Sequence, residues 1–331
     1  MEGKKSLYLV VTAIIIIAGA ISCKPDGNSI NFEFGTFPDS IINIVGINSA
    51  YDDYNSTIPQ ILGNLPIMFS TNRESQGENF DITSGLITFT FDQVNGSFTL
   101  EGDMYSNGFY DALKSAVNTS TDQLGPYRFF NSKNGLEYFF NSTETAEGDL
   151  DISFLEYLPP VSGETPYIGS PEDVTRLNSA SNDGYVTIDW NVANIYLTSD
   201  RGGDFDIYTS VIEQPSTLAS WLTTPPVELA KADSVNSTSD DKCPFIFDKY
   251  MIFTSDRPGG FGGFDLYFST FVNGKWGSPV NFGPRINSAN NEYRPIVGFA
   301  NTYTNFFMIF SSDRPGGAGG YDLYLTGVTF E

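Results

Sequence analysis

The side chains of this sequence that could do chemistry are its carboxylates. Asp and Glu number 40 against 17 Lys and Arg, with no histidine and two cysteines. Without imidazole there is no Ser-His-Asp or Cys-His catalysis, no histidine general base and no histidine metal ligand. Two cysteines build neither a zinc site nor a disulfide framework. One acidic position recurs, at the end of an Asn-Ser-x-x-Asp/Glu pattern, giving Asp53, Asp122, Asp183, Asp241 and Glu292. If these residues converge on one axis they form a channel mouth that attracts cations or amines, because unshielded like charges repel. The alternative is local: each caps a turn or pairs nearby, as Glu292 could with Arg294.

A second pattern carries Asp200, Arg201 and Asp206, then Asp256, Arg257 and Asp265, then Asp313, Arg314 and Asp322. It joins Ser-Asp-Arg to a glycine run and then to Asp-Leu-Tyr or Asp-Ile-Tyr. Glycine permits positive φ and close backbone approach, so this is a strand, a tight loop and a strand, and its residues read as structural. Asp256 and Asp313 would bond loop N–H groups, and Arg257 and Arg314 would pair with a carboxylate such as Asp265 or Asp322. Asp200 to Asp206 also offers a cluster of acids for calcium. It lacks the twelve-residue EF-hand pattern, so no cofactor or metal is expected.

The elements that position these residues form a repeat. Phe253 to Tyr267 recurs as Phe310 to Tyr324, with a shorter copy at Leu197 to Tyr208. A weaker copy begins at Phe69, and a degenerate one at Phe140 has Glu144 in place of arginine. Each copy follows one Asn-Ser-type motif, which gives units near 48–82, 118–152, 178–208, 236–267 and 287–324. Each unit reads as four strands, so the expected fold is all-β, a five-bladed β-propeller of four-stranded antiparallel blades. The fifth unit ends without an outer strand. The segment Asn31 to Ile47, with its apolar Ile41 to Val45, is expected to supply it and close the ring. The long link Val94 to Ala116 is closed by the stretch Phe109 to Val117, which reads as a helical turn or an elaborated outer strand.

Composition agrees with this architecture. Aromatic residues make up 15%, and the chain holds 32 Gly and 18 Pro. That much aromatic surface argues against disorder. The formal net charge of −23 argues against wrapping nucleic acid, which needs a positive field. Cys243 stands beside Pro244, Phe245, Ile246 and Phe247 and is expected to be buried and inert.

The first residues read as an address. Lys4 and Lys5 precede an apolar run from Leu7 to Ile21, then Ser22 and Cys23. The pattern is that of a secretory signal. With cysteine directly after the apolar run it resembles a bacterial lipoprotein signal, which implies a signal peptide over 1–22, a lipidated Cys23 with a tether over 23–29, and a propeller over 30–331.

The repeat resembles the TolB-type, WD-repeat-like β-propeller family of bacterial envelope lipoproteins. The residues that carry the resemblance are Thr254 to Tyr267, Trp276 to Ser288 and Glu292 to Pro295. It implies a non-catalytic, envelope-facing module, and the expectation is a lipid-anchored scaffold at the outer membrane with an envelope protein as partner. The alternative is a propeller that binds a glycan or small ligand, for which an aromatic cluster at one mouth would speak. A third reading is a glycoside hydrolase using carboxylates alone. Against it, the recurring acid follows the repeat symmetry, which a catalytic site breaks.

Overall fold

The computed structural model describes residues 31–59, 65–159, 166–213 and 217–330. The signal segment, Cys23 and its tether lie outside the described residues. The protein is a five-bladed β-propeller of antiparallel sheets. The inner strands are Asp53–Thr57, Gln123–Asn131, Asp183–Ile188, Asp241–Phe247 and Glu292–Gly298. Each packs against the inner strands on either side, and the fifth returns to the first, which makes a closed ring.

The second strands are apolar runs, such as Leu65–Thr71 and Phe306–Ser312, buried along nearly their whole length. A strand in the middle of a blade is covered on both faces by neighbouring blades, so its sequence shows no polar alternation. The third strands begin at the repeated aspartate, as in Asp265–Val272 and Asp322–Val328.

The outer strands vary most. Ile42–Asn43 pairs with the third strand of blade 5, with Ile42 opposite Leu325 and Asn43 opposite Tyr324. The N-terminal segment therefore completes the last blade. Phe37, ahead of this strand, is fully buried, and its backbone exchanges two hydrogen bonds with the Asn305 amide. In blade 4 the outer strand is two short pieces, Lys275–Trp276 and Val280–Asn281. Pro279 between them has no N–H to give a ladder.

Of the two forms expected for Phe109 to Val117, the structure has the helix. Phe98–Met104 is the outer strand of blade 1, and the helix Gly108–Val117 follows it. The Asn107 side chain caps the helix by accepting from the N–H groups of Phe109 and Tyr110. Its buried face, Phe109, Tyr110, Leu113 and Val117, packs with Met68 and Ile82 of blade 1 and with Phe139 and Leu155 of blade 2.

One side chain joins each blade to the next. The Asn118 amide accepts from the Ile82 N–H at 2.8 Å and donates to the Ile82 carbonyl at 3.0 Å. Asn178 does the same to Ile152, Asn236 to Ile207 and Asn287 to Leu266. Asn48 makes the fifth copy with Leu323, so it links blade 1 to blade 5.

Candidate functional site

The repeated acids do not open onto a channel mouth. Asp53, Asp183, Asp241 and Glu292 are each fully buried at the start of an inner strand. Each is bonded to an arginine of its own blade: Asp53 to Arg73, Asp183 to Arg201, Asp241 to Arg257, and Glu292 to Arg314 at 2.9 Å. The same guanidinium donates to the carbonyl just before the motif asparagine, at Ile47, Leu177, Val235 and Ile286. Its Nε donates to the hydroxyl two residues earlier, which sets the arginine pointing back toward the inner strand. This geometry replaces two expected pairings. Arg257 and Arg314 reach the inner-strand acids rather than Asp265 and Asp322, and Glu292 pairs with Arg314 rather than Arg294.

Asp122 belongs to a different position. Its carboxylate accepts from the Phe80 N–H of the preceding blade at 2.8 Å, as Asp52 accepts from Tyr321 and Asn291 from Phe264. The fully buried residue at the start of that inner strand is Gln123. Its carbonyl accepts from Asn141 and Thr143, and its amide donates to Thr119. The arginine's place, two residues past the partner of the buried inner-strand residue, holds Thr145 in blade 2, and the expected Glu144 stands instead where other blades have Asn72, Asp200 and Asp256. With the arginine gone, the buried carboxylate has become a neutral amide, so no charge is left unpaired.

The glycine-loop acids are also engaged. Asp200, Asp256 and Asp313 accept from the backbone N–H groups of Asn182, Asp240 and Asn291, in the motif that precedes their own blade's inner strand. The loop N–H groups go to the third-strand acids instead: Phe261 donates to Asp265, and Ala318 to Asp322. Asp206 is held by Lys231. Asp200 and Asp206 therefore face different partners and do not form one calcium nest. Among the described residues no group of three His, Cys, Asp or Glu is placed to hold a metal.

The feature that the motifs do not foretell is a cavity of about 760 Å³ at the other ends of the inner strands. All five blades reach it: Ile58 from the first, Arg128 from the second, Trp190 from the third, Phe247 and Trp276 from the fourth, Phe299 from the fifth. Its wall is aromatic. Phe271 meets Trp276 edge-on at 4.9 Å, Trp276 meets Tyr196 at 6.0 Å, and Phe247 meets Phe306 at 5.0 Å. Trp190 is 65% exposed on a hairpin tip. The carboxylates on the wall are Asp189 and Asp248. Asp189 accepts from the Ala193 N–H and the Asn194 amide within its turn, and Asp248 is exposed. Arg128 is held from behind by Tyr157, Glu137 and Tyr110. These residues lie outside both repeats. The signal that could find them is asymmetry: hairpin tips whose aromatic residues differ from blade to blade.

Comparison with solved structures fits this geometry. The chain is similar to a GH43_1 enzyme from Xanthomonas citri, at TM-score 0.53 and 9% identity over 88% of this chain and 91% of that one. It is similar to an α-L-arabinofuranosidase from Lactobacillus brevis, at TM-score 0.52 and 10% identity over 88% and 94%. It is also similar to an endo-arabinase from Bacteroides thetaiotaomicron, at TM-score 0.50 and 14% identity over 90% and 98%. No protein-family model matches the sequence, and no curated protein does. At these identities the likeness shows the fold. It also corrects the expectation of a non-catalytic protein scaffold, because the solved chains with this architecture named here are glycoside-directed enzymes. The glycan alternative agrees better with them and with the aromatic mouth.

One acid breaks the repeat at a cost. In blades 3 to 5 the outer strand places a donor opposite the third strand: Lys231 opposite Tyr208, Asn281 opposite Tyr267, Asn43 opposite Tyr324. These donors serve Asp206, Asp265 and Asp322. In blade 2 the corresponding place, opposite Ser153, holds Asp173. Asp151 is left with a buried, unpartnered Oδ1. Burial, then the nearby acids Asp149, Asp183 and Asp173, push its pKa up to about 6. A folded pKa above the unfolded value of 3.8 stabilises the fold at low pH, and that contribution is lost as pH rises through about 6. Asp151→Asn should therefore raise the melting temperature at pH 7.5, with a gain that shrinks steadily as pH falls to 4. Melting curves across that range check this, and a pH-independent effect or a loss of stability would contradict it.

Proposed function

We propose that this protein is a carbohydrate-directed β-propeller that binds a glycan in the aromatic mouth formed by the inner-strand ends. The observation that carries the reading is the mouth itself: a cavity walled by Trp190, Phe247, Phe271, Trp276 and Phe299 with only a few polar groups. Sugar rings present apolar C–H faces and polar rims. Aromatic rings offer large rigid contact area with little entropy to lose, and sparse polar groups fix orientation. The test is calorimetric titration with arabino- and xylo-oligosaccharides. Saturable binding is expected, and Trp190→Ala should weaken it at least tenfold, about 1.4 kcal/mol. Because Trp190 is exposed, its removal should leave the melting temperature unchanged. No binding, or equal binding by the variant, would contradict the proposal.

A second reading, glycoside hydrolysis at the same mouth, is favoured by Asp189 and Asp248 on its wall. Such chemistry needs two carboxylic groups flanking the bond. Release of reducing ends during the titration would decide for it.

The resemblance of the leader and repeats to envelope lipoproteins adds a location. We propose that Cys23 carries a lipid that holds the mouth at the cell envelope. Cys23→Ser should move the protein from the membrane fraction to the soluble one, and an unchanged distribution would refute the anchor.

A further inference from the structure

The propeller axis is lined by one residue per blade with left-handed backbone. Asn55, Gly125, Tyr185, Cys243 and Arg294 occupy the same place, the third residue of each inner strand, and all have φ between 47° and 57°. Beyond each one the pairing with the second strand shifts register, which marks a bulge. The surrounding motifs are nearly constant from blade to blade, whereas these five residues all differ. A position that keeps its backbone and varies its side chain is where the symmetric scaffold has been given something individual.

Arg294 is the one with an unmet requirement. It is fully buried. Its Nη2 donates to the Pro126 carbonyl at 3.2 Å, and its Nε and Nη1 have no partner. Every other arginine of the chain stands within 4.0 Å of a carboxylate. The groups that face Arg294 are Cys243, Tyr185, Tyr127 and Tyr293, with no Asp or Glu among them. Burial pushes the Cys243 thiol up to about 12 and raises the Tyr185 and Tyr293 hydroxyls well above their usual value. These neighbours therefore carry no negative charge at neutral pH. A guanidinium keeps its proton in proteins, and a lone buried charge is strongly unfavourable unless something pairs it. The Tyr185 ring, 5.6 Å from the guanidinium carbon, gives a cation–π contact, but it leaves both N–H groups unbonded.

We infer that a small inorganic anion, chloride in size and charge, binds the free N–H groups of Arg294 on the propeller axis and neutralises it. The ion is integral to the fold and independent of the glycan reading. A halide suits the site because it needs only donors, and the wall around the guanidinium otherwise supplies hydroxyls, a thiol and aromatic edges. The acids that could have served instead are already committed to Arg73, Arg201, Arg257 and Arg314 at the starts of the same inner strands.

Two measurements on the full chain test this. The protein is refolded and melted in sodium gluconate, chloride and bromide at equal ionic strength. A melting temperature higher in chloride and bromide than in gluconate is expected, saturating with halide and lost in Arg294→Met. Crystals soaked in bromide should show an anomalous peak within hydrogen-bonding distance of Arg294, a result that does not depend on the variant folding. Equal stability in all three salts would overturn the inference, even with a peak, because binding would then occur at crystal concentrations only. A halide effect with no peak at Arg294 would overturn it equally.

Discussion

Each blade of this ring is joined to the next by an asparagine side chain, and the rest of the structure depends on that joint. A third strand begins with an N–H that the shorter outer strand does not cover. The next blade's asparagine accepts from that N–H and donates to the carbonyl of the same residue, so one amide acts as a piece of strand. Leaving such a buried N–H unpaired costs about 1–3 kcal/mol. The fifth joint, Asn48 with Leu323, connects the two ends of the ring, and the pairing of Ile42–Asn43 with the last blade seals the same seam. Closure removes the exposed edges that an open array of sheets would present.

The joint fixes where the charges go. With the asparagine held, the chain four to six residues later enters the next inner strand with its acid turned inward, where the blade's own arginine meets it. Charge therefore lies inside the blades on one face of the propeller, and the motif acids are unavailable to a ligand. Blade 2 shows the logic by exception, since Gln123 replaces the acid, Thr145 stands in the arginine's place, and the position stays neutral. The opposite face carries no motif. Its hairpin tips are free to differ, and they do so by placing aromatic rings around one cavity.

Much of the fold was legible because repetition reports structure. The interleaved motifs revealed five blades, and the missing outer strand of the fifth unit pointed to the N-terminal segment. The site was not legible for the same reason. Repeated residues such as Asp183 and Asp241 attract attention, yet repetition marks what every blade needs to fold. Asp122 was misplaced because the second unit's motif lacks the final acid, so its last aspartate aligns with Asp52 rather than Asp53. The arginine partners were missed because the bond runs from a loop back to an inner strand, a distance in sequence that spacing does not encode. Trp190 and Phe299 stand in segments with no internal copy, and Arg294 fills a place that every blade has but gives a different side chain; only the folded ring brings them to the axis or its mouth.

The central claim is that ligand recognition resides in the asymmetric hairpin tips and not in the repeated loops. Hydrogen–deuterium exchange with and without a bound arabino- or xylo-oligosaccharide tests it most directly. The account predicts slowed exchange over residues 189–194, 245–250 and 297–306, with the glycine loops around Arg257 and Arg314 unchanged. Protection centred on those glycine loops, with the hairpin tips unaffected, would contradict it.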